Sequence, residues 1–249
     1  MTALPPDREG LQTMDGAWLE RYSRQLLLKE VGGEGQLRLQ RATVGVIGAA
    51  AMGSPLILYL AAAGIGHLVV LDSQRAAPLC AAVQALNPWV KTTALCAPAF
   101  PEQMAAEMRH WDLAIWADGG ADSGTASLWQ TNKAALQTGK TLLAGWLAHS
   151  VYPIFLSRAG HDSQAPCLLC AEWACSAREA SSSPDPTLVR TGAGVVGAVL
   201  AMESLLFLLD RSQTLWYGAR VFYPEEGRFN AVSVPKNPVC PACLGHPHG

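Results

Sequence analysis

Between residues 43 and 72 the apolar pattern changes period twice. Val44, Val46 and Ile47 form a short run without a charge, as expected of a strand buried on both faces of a parallel sheet. Gly48 ends that run. From Ser54 to Ala63 the residues are good helix formers, with Pro55 in the first turn where its missing N–H costs nothing, and Gly64 to Gly66 stop the helix. His67 to Asp72 reads as a second strand with Asp72 at its carboxyl end. The stretch therefore predicts a βαβ unit whose acidic residue stands about twenty positions beyond a glycine turn, the layout of a nucleotide-binding fingerprint.

The same reading extends along the chain. Trp18 to Lys29 has Leu19, Tyr22, Leu26 and Leu27 at helical spacing, with Glu20, Arg21, Arg24 and Gln25 on the other face. A glycine-rich elbow, Val31 to Gly35, precedes a short helix through Leu39. After Asp72 a polar stretch broken by Pro78 leads to a predicted helix from Cys80 to Leu86, which ends at Asn87-Pro88. Val90 to Leu95 is a strand, Pro101 to His110 a helix, and Asp112 to Ala117 a strand that meets the loop DGGADSGT. A helix over Ala126 to Gln137 and a strand from Thr141 to Ala144 follow. This alternation predicts a parallel sheet covered on both faces.

Beyond residue 145 the texture changes. Tyr152 to Ser157 is a strand, a cysteine pair follows, and the serine-rich loop Ala180 to Pro186 is predicted to be mobile. Gly192 to Leu209 is a long apolar helix, and Leu215 to Val234 reads as two antiparallel strands joined around Pro224 to Gly227. The expected organisation is an arm over residues 1–16 and one domain over 17–249. Within it, about 41–145 forms a nucleotide-binding-like half and about 146–249 a second half.

Composition narrows the partners. Half of the 249 residues are hydrophobic, enough for a substantial core, and a net charge of −2 with 15% charged residues offers no basic surface for nucleic acid or anionic membrane. The N-terminal stretch lacks the apolar segment of a secretory leader, which points to the cytoplasm. Glu203 inside the long apolar helix favours a buried helix over a membrane span.

Two features carry chemistry. Cys167-x-x-Cys170 and Cys240-x-x-Cys243 are matched knuckles, each able to point two thiolates into one tetrahedral site. Together they predict a structural four-cysteine zinc centre with no open position for catalysis, with two redox pairs or free buried cysteines as the competing readings. Cys80, Cys96 and Cys175 have no partner at ligand spacing and are expected to be small core residues. The second feature is the turn itself: G-x-G-x-x-G needs a second glycine where the backbone approaches phosphate, and that position is Ala50. Gly48 and Gly53 keep the turn and the close helix packing, so a worn nucleotide loop and a plain scaffold are both consistent with it.

Taken in order, RYSRQLLLKEVGGEGQLRL, GAAAMGS, YLAAAGIGHLVVLD, TNKAALQTGKTLLAG, PCLLC, GAGVVGAVLAMESLLFLL and NPVCPAC resemble the ThiF/MoeB/HesA family, bacterial relatives of ubiquitin-activating enzymes. The resemblance implies a Rossmann-like, doubly wound, mostly parallel α/β sheet with C-terminal antiparallel strands and a zinc site of four cysteines. It further implies ATP-dependent adenylation, with Mg, of the C-terminal Gly-Gly carboxylate of a small β-grasp sulfur-carrier protein. The active unit it implies is a homodimer or a heterodimer with a paralogue. That chemistry brings two anions together, so cations must offset the accumulating charge.

Carried over by position, GAAAMGS supplies Gly48, Ala50, Gly53 and Ser54 as the nucleotide loop, and Asp72 matches the ribose-binding aspartate. Arg24 matches the arginine donated across the dimer, and Asp118 or Asp122 the metal-binding aspartate. The family's second acidic residue falls on Gln74, and roughly twenty residues with the phosphate arginine and lysine are absent before Asn87-Pro88. Arg75 and Lys91 are the nearby basic residues left. A further family arginine falls near Leu128, and a common cysteine near Ser183. Losing each phosphate cation costs on the order of 2 to 4 kcal/mol of transition-state stabilisation. The expectation is a protein that acts on or binds the carrier tail, by adenylation if active. The alternative is a non-catalytic homologue that pairs with an active paralogue or carrier and supplies Arg24 in trans. A nicotinamide-dependent oxidoreductase is a remote third reading.

Overall fold

The computed structural model describes residues 15–96, 101–118, 125–159, 162, 164–176, 185–211 and 218–243. The elements in chain order are α1 (Gly16–Leu26), α2 (Gly32–Arg41), β1 (Thr43–Ile47), α3 (Gly53–Ala63), β2 (His67–Leu71), α4 (Ala76–Leu86), β3 (Lys91–Leu95) and α5 (Pro101–Met108). They continue as β4 (Leu113–Asp118), α6 (Thr125–Thr138), β5 (Leu142–Trp146), β6 (Tyr152–Ser157), α7 (Leu168–Ser176), α8 (Pro186–Leu208), β7 (Gly218–Tyr223) and β8 (Arg228–Ser233).

One sheet of 8 strands runs β3-β2-β1-β4-β5-β6-β7-β8. The first five strands in this order are mutually parallel, and β6, β7 and β8 pair antiparallel. From β1 the chain winds outward through β2 to β3 and then returns to the other side as β4. The order therefore reverses between β1 and β4, and the crevice at the carboxyl ends of such a pair is where open α/β sheets bind ligands.

Each face of the sheet packs its own core. Val44, Val46, Val70 and Ile115 lie with Leu56, Ile57, Val83, Val196 and Leu200, which places α3, α4 and α8 on one face. Trp111, Trp116 and Trp146 lie with Met104, Leu128, Leu168 and Ala171, which places α5, α6 and α7 on the other. The strands alternate between the two clusters because successive side chains leave opposite faces.

Four expectations need correcting. The helix after Asp72 begins at Ala76, not Cys80, with Pro78 tolerated in its first turn. The long helix begins at Pro186, not Gly192, because Asp185 caps it by accepting the Thr187 N–H at 2.7 Å. The glycine-rich elbow is largely helical, since α2 starts at Gly32. Cys80 and Cys175 are buried as expected, but Cys96 is exposed just past the edge strand β3.

Among the described residues one helix, Thr187–Leu208, is long and apolar enough to cross a membrane. In this fold it packs against α3 and the sheet. Its Glu203, 1% exposed, is paired with Arg220 of β7 at 3.6 Å, which offsets the cost of a buried carboxylate.

Candidate functional site

The glycine turn lies at the β1/β4 crevice. Gly48 takes φ +93°, a conformation strained for any residue with a Cβ. Gly53 has a different reason: a Cβ there would stand 2.0 Å from the Gly48 carbonyl oxygen, so only glycine lets α3 start this close to β1. Ser54 closes the turn, donating its hydroxyl to the Ala49 carbonyl at 2.7 Å and its N–H to the Ala50 carbonyl at 2.9 Å. Among the described non-glycine residues only His149 and Asp210 have positive φ, so Ala49, Ala50 and Ala51 all take the negative-φ backbone that Ala50 implies in the sequence.

Asp72, at the end of β2, faces this turn. Its Oδ2 accepts the Ala49 N–H at 3.1 Å, and its Oδ1 accepts the N–H groups of Gln74 and Arg75 at 2.9 and 2.7 Å. Burial alone would raise its pKa, but the N–H donors of Arg75, Gln74 and Ala49, with the Arg75 charge, hold it below the ordinary value of 3.8. The carboxylate thus bridges the turn and the start of α4. The Gln74 and Arg75 N–H groups belong to the turn that leads into α4, which has no side-chain cap of its own, and Pro78 is the third residue of that helix, where a missing N–H costs nothing.

The cations divide between the two ends of the sheet. Arg75, at the N-terminus of α4, lies near enough to act on Asp72. Lys91 does not approach the turn: it is the first residue of β3, in register with His67, the first residue of β2, and so sits at the amino ends of the strands. Asp118 is the last residue of β4, in register with Trp146 and next in the sheet to the turn's strand β1. Asp122 and Ser183 lie outside the described residues. At the far, amino-end side a cavity of about 510 Å³ opens, lined by Thr43, His67, Thr93, Glu107, Arg109 and His110.

Arg24 and its neighbours in RYSRQ have separate fates. Trp18 and Tyr22 are each 1% exposed and bury α1 against the βαβ unit. Buried Asn87 donates to the Tyr22 hydroxyl at 2.7 Å and to the Ala61 carbonyl at 2.6 Å, while Arg21 donates to the Leu86 carbonyl and lies 5.8 Å from the Trp89 ring. Arg24, on the last turn of α1, remains exposed. The arm is held by its neighbours and this guanidinium is left free to meet something else.

The four knuckle cysteines meet, as their spacing predicts. Cys167, Cys170, Cys240 and Cys243 are all buried, and their sulfurs lie within 4.8 Å of one another. The separations of 3.9, 3.7 and 3.8 Å for Cys167–Cys170, Cys167–Cys240 and Cys170–Cys243 match the edge of about 3.8 Å of a tetrahedron with Zn–S near 2.3 Å. The donor set therefore fits zinc. Hydrogen bonding from the Cys167 thiol pulls the Cys170 pKa down to about 5, and burial pushes that of Cys243 up to about 12. A divalent cation removes this stepwise titration by holding all four as thiolates.

Two asparagines that the spacing argument does not single out complete this centre. Buried Asn132 of α6 donates its Nδ2 to Cys167 Sγ at 3.6 Å and accepts the Leu168 N–H at 3.1 Å. Asn237 donates its N–H to Cys170 Sγ at 3.5 Å, and its side chain accepts the Val239 N–H at 2.9 Å, shaping the second knuckle. No sequence signal singles out Asn132, one of several polar residues in α6.

Similar proteins place this geometry. The sequence model of the ThiF family matches residues 22–78, which run from Tyr22 through the βαβ unit into α4. The sulfur carrier protein adenylyltransferase of Thermus thermophilus is 29% identical, over 92% of this chain and 92% of that protein. The SAMP-activating enzyme E1 of Haloferax volcanii is also 29% identical, over 93% of this chain and 91% of its own length. In fold, the crystal structure of Escherichia coli MccB superposes with a TM-score of 0.70 at 15% identity, covering 92% of this chain and 74% of that one.

Proposed function

We propose that this chain, which the ThiF family model matches over residues 22–78, is a member of that family that binds the Gly-Gly tail of a small β-grasp sulfur-carrier protein in the cytoplasm without catalysing its activation, lending Arg24 to a partner subunit. Its relatives of matching length are a sulfur carrier protein adenylyltransferase and an E1-type activating enzyme, which supports a carrier as the partner. Against catalysis by this chain itself stands one observation above all: the candidate nucleotide turn is closed on Asp72. The carboxylate expected to hold a ribose already accepts three backbone N–H groups, one of them from the turn, which leaves it about one acceptor site. Around it, Ala50 narrows the turn and Lys91 lies at the opposite end of the sheet. Of the two basic residues that the sequence offers in place of the phosphate cations, only Arg75 lies beside Asp72.

In this role the fold presents the β1/β4 crevice to the carrier tail. Arg24 projects from an arm whose position is fixed by Tyr22, Arg21 and Asn87. In a two-fold assembly such an arm can deliver its guanidinium into a neighbour's site, where a charge that the neighbour lacks would be supplied. Should the chain bind ATP and Mg, Gly48, Ala50, Gly53, Ser54 and Asp72 would line the nucleotide, and Asp118 or Asp122 would be the metal aspartate.

Reconstitution with an intact paralogue and a Gly-Gly-ended carrier tests the proposal. Arg24→Ala is expected to lower the partner's ATP–pyrophosphate exchange at least tenfold while the complex still co-elutes. Exchange by the chain alone with its carrier, above that of a variant with Asp118 and Asp122 both replaced by alanine, would instead establish the active, divergent reading. Asp118 at the switch point of the sheet is the observation that favours that reading.

A further inference from the structure

The zinc reading rests on four thiols, yet one more side chain touches them. Asn132 lies on α6, 35 residues before Cys167, and is 2% exposed. Its amide is used at both ends: Nδ2 donates to the Cys167 sulfur at 3.6 Å, while Oδ1 accepts the N–H of Leu168 at 3.1 Å. Leu168 is the first residue of α7, so that N–H is one of the donors a helix start leaves without an intrahelical partner. One side chain therefore caps the helix that carries the first knuckle and donates to the sulfur that opens it.

Each bond has a physical consequence. An N–H donor to a thiolate stabilises its negative charge, which matters where four thiolates share one divalent cation and the site carries net negative charge. The cap fixes where α7 begins, and with it the direction in which Cys167 and Cys170 point. Because α6 precedes β5 while both knuckles follow β6, the contact joins parts of the chain 35 residues apart. An asparagine suits both tasks, since its carbonyl accepts and its amide donates. Aspartate would keep the cap, lose the donor and set a second anion beside the thiolate.

We infer that Asn132 is an outer-sphere partner of the four-cysteine metal site: it positions the Cys167 sulfur and the start of α7, and so makes metal retention depend on α6. This rests on the zinc reading of the cysteines. Zinc release to a chromophoric chelator from the full-length protein is the measurement, with Asn132→Asp and Asn132→Ala beside the wild type. Both variants are expected to release zinc roughly 10- to 100-fold faster, Asn132→Asp the more so. In the cobalt-substituted protein the sulfur-to-metal charge-transfer band is expected to move to lower energy once the N–H···S bond is gone. Asn132→Asp retains the cap, so it keeps the test open if Asn132→Ala fails to fold. Folded variants with wild-type release rates and an unmoved band would overturn the inference. A wild-type protein that takes up no zinc would overturn the metal reading itself, which is a separate outcome.

Discussion

A carboxylate that accepts N–H groups from both a glycine turn and a helix start holds those two segments together only while it is ionised. Asp72 is such a group, and its pKa is held below 3.8 by the Arg75, Gln74 and Ala49 N–H donors against the opposing effect of burial. The folded chain then binds fewer protons than the unfolded chain in acid. The contribution to stability is complete above the ordinary aspartate range and is lost as pH falls through the lower folded value. Asp72→Asn keeps one acceptor oxygen and turns the other into a donor that opposes a backbone N–H. It is expected to cost about 1 kcal/mol at pH 7, the scale of a lost helix cap. For a chain of this size that lowers Tm by roughly 2–4 °C. The gap from wild type should close below about pH 4 as wild-type Asp72 itself protonates. Thermal melts across that range would check it, and a gap that stays constant into acid would show that the charge contributes nothing.

Elements were legible in the sequence to the extent that a period revealed them. The strand Tyr152–Ser157 is found at its predicted limits, and β1 and β2 fall where the charge-free runs place them. Helix starts were read late at α4 and α8 because Pro78 falls inside the first turn of α4, and because Asp185 caps α8 ahead of two turns that carry Thr187, Arg190 and Thr191. Helix α7 left no trace at all. LLCAEWACS carries one charge, and its exposed side shows Trp173 where a polar residue would mark a helix, while Leu168, Leu169, Ala171 and Cys175 are buried. The arm α1 was legible as a helix, but it ends at Leu26 and buries Trp18 and Tyr22 while the expected apolar positions Leu19 and Leu27 are exposed. Its anchor was hidden because Asn87 reads as a helix terminator before a proline. That anchor makes a sharp prediction. Asn87→Ala would remove the donor to the buried Tyr22 hydroxyl and one of two donors to the Ala61 carbonyl, which keeps the Gly64 N–H, costing about 1 to 3 kcal/mol. Hydrogen exchange should accelerate selectively over residues 16–26, whereas Arg24→Ala, with its exposed side chain, should leave that protection unchanged.

At the scale of the whole molecule, the chain returns on itself through sulfur. The first knuckle lies at the start of α7, packed against β6, and the second follows β8, so four buried cysteines join the strand that turns the sheet antiparallel to the strand that ends it. The site was legible because matched pairs at two-residue separation have few other uses. Its outer partners were not, because an asparagine in a helix announces nothing until the fold brings α6 beside α7. The four ligands belong to the core on the α5, α6 and α7 face, while the core that α3, α4 and α8 build on the other face of the sheet contains none of them. Metal loss is therefore expected to act regionally. The protein should contain about one zinc per chain by mass spectrometry under non-denaturing conditions, as one closed four-thiolate site requires. Stripping it with a strong chelator removes binding free energy that stabilises only the folded state. A loss of even about 3 kcal/mol lowers Tm by roughly 6–12 °C at this chain length. Exchange should rise over 167–176 and 234–243 while 43–71 stays protected. Cys240→Ser should reproduce both effects without chelator, and a Cys240→Ser protein that keeps full zinc content and stability would refute the four-thiolate assignment.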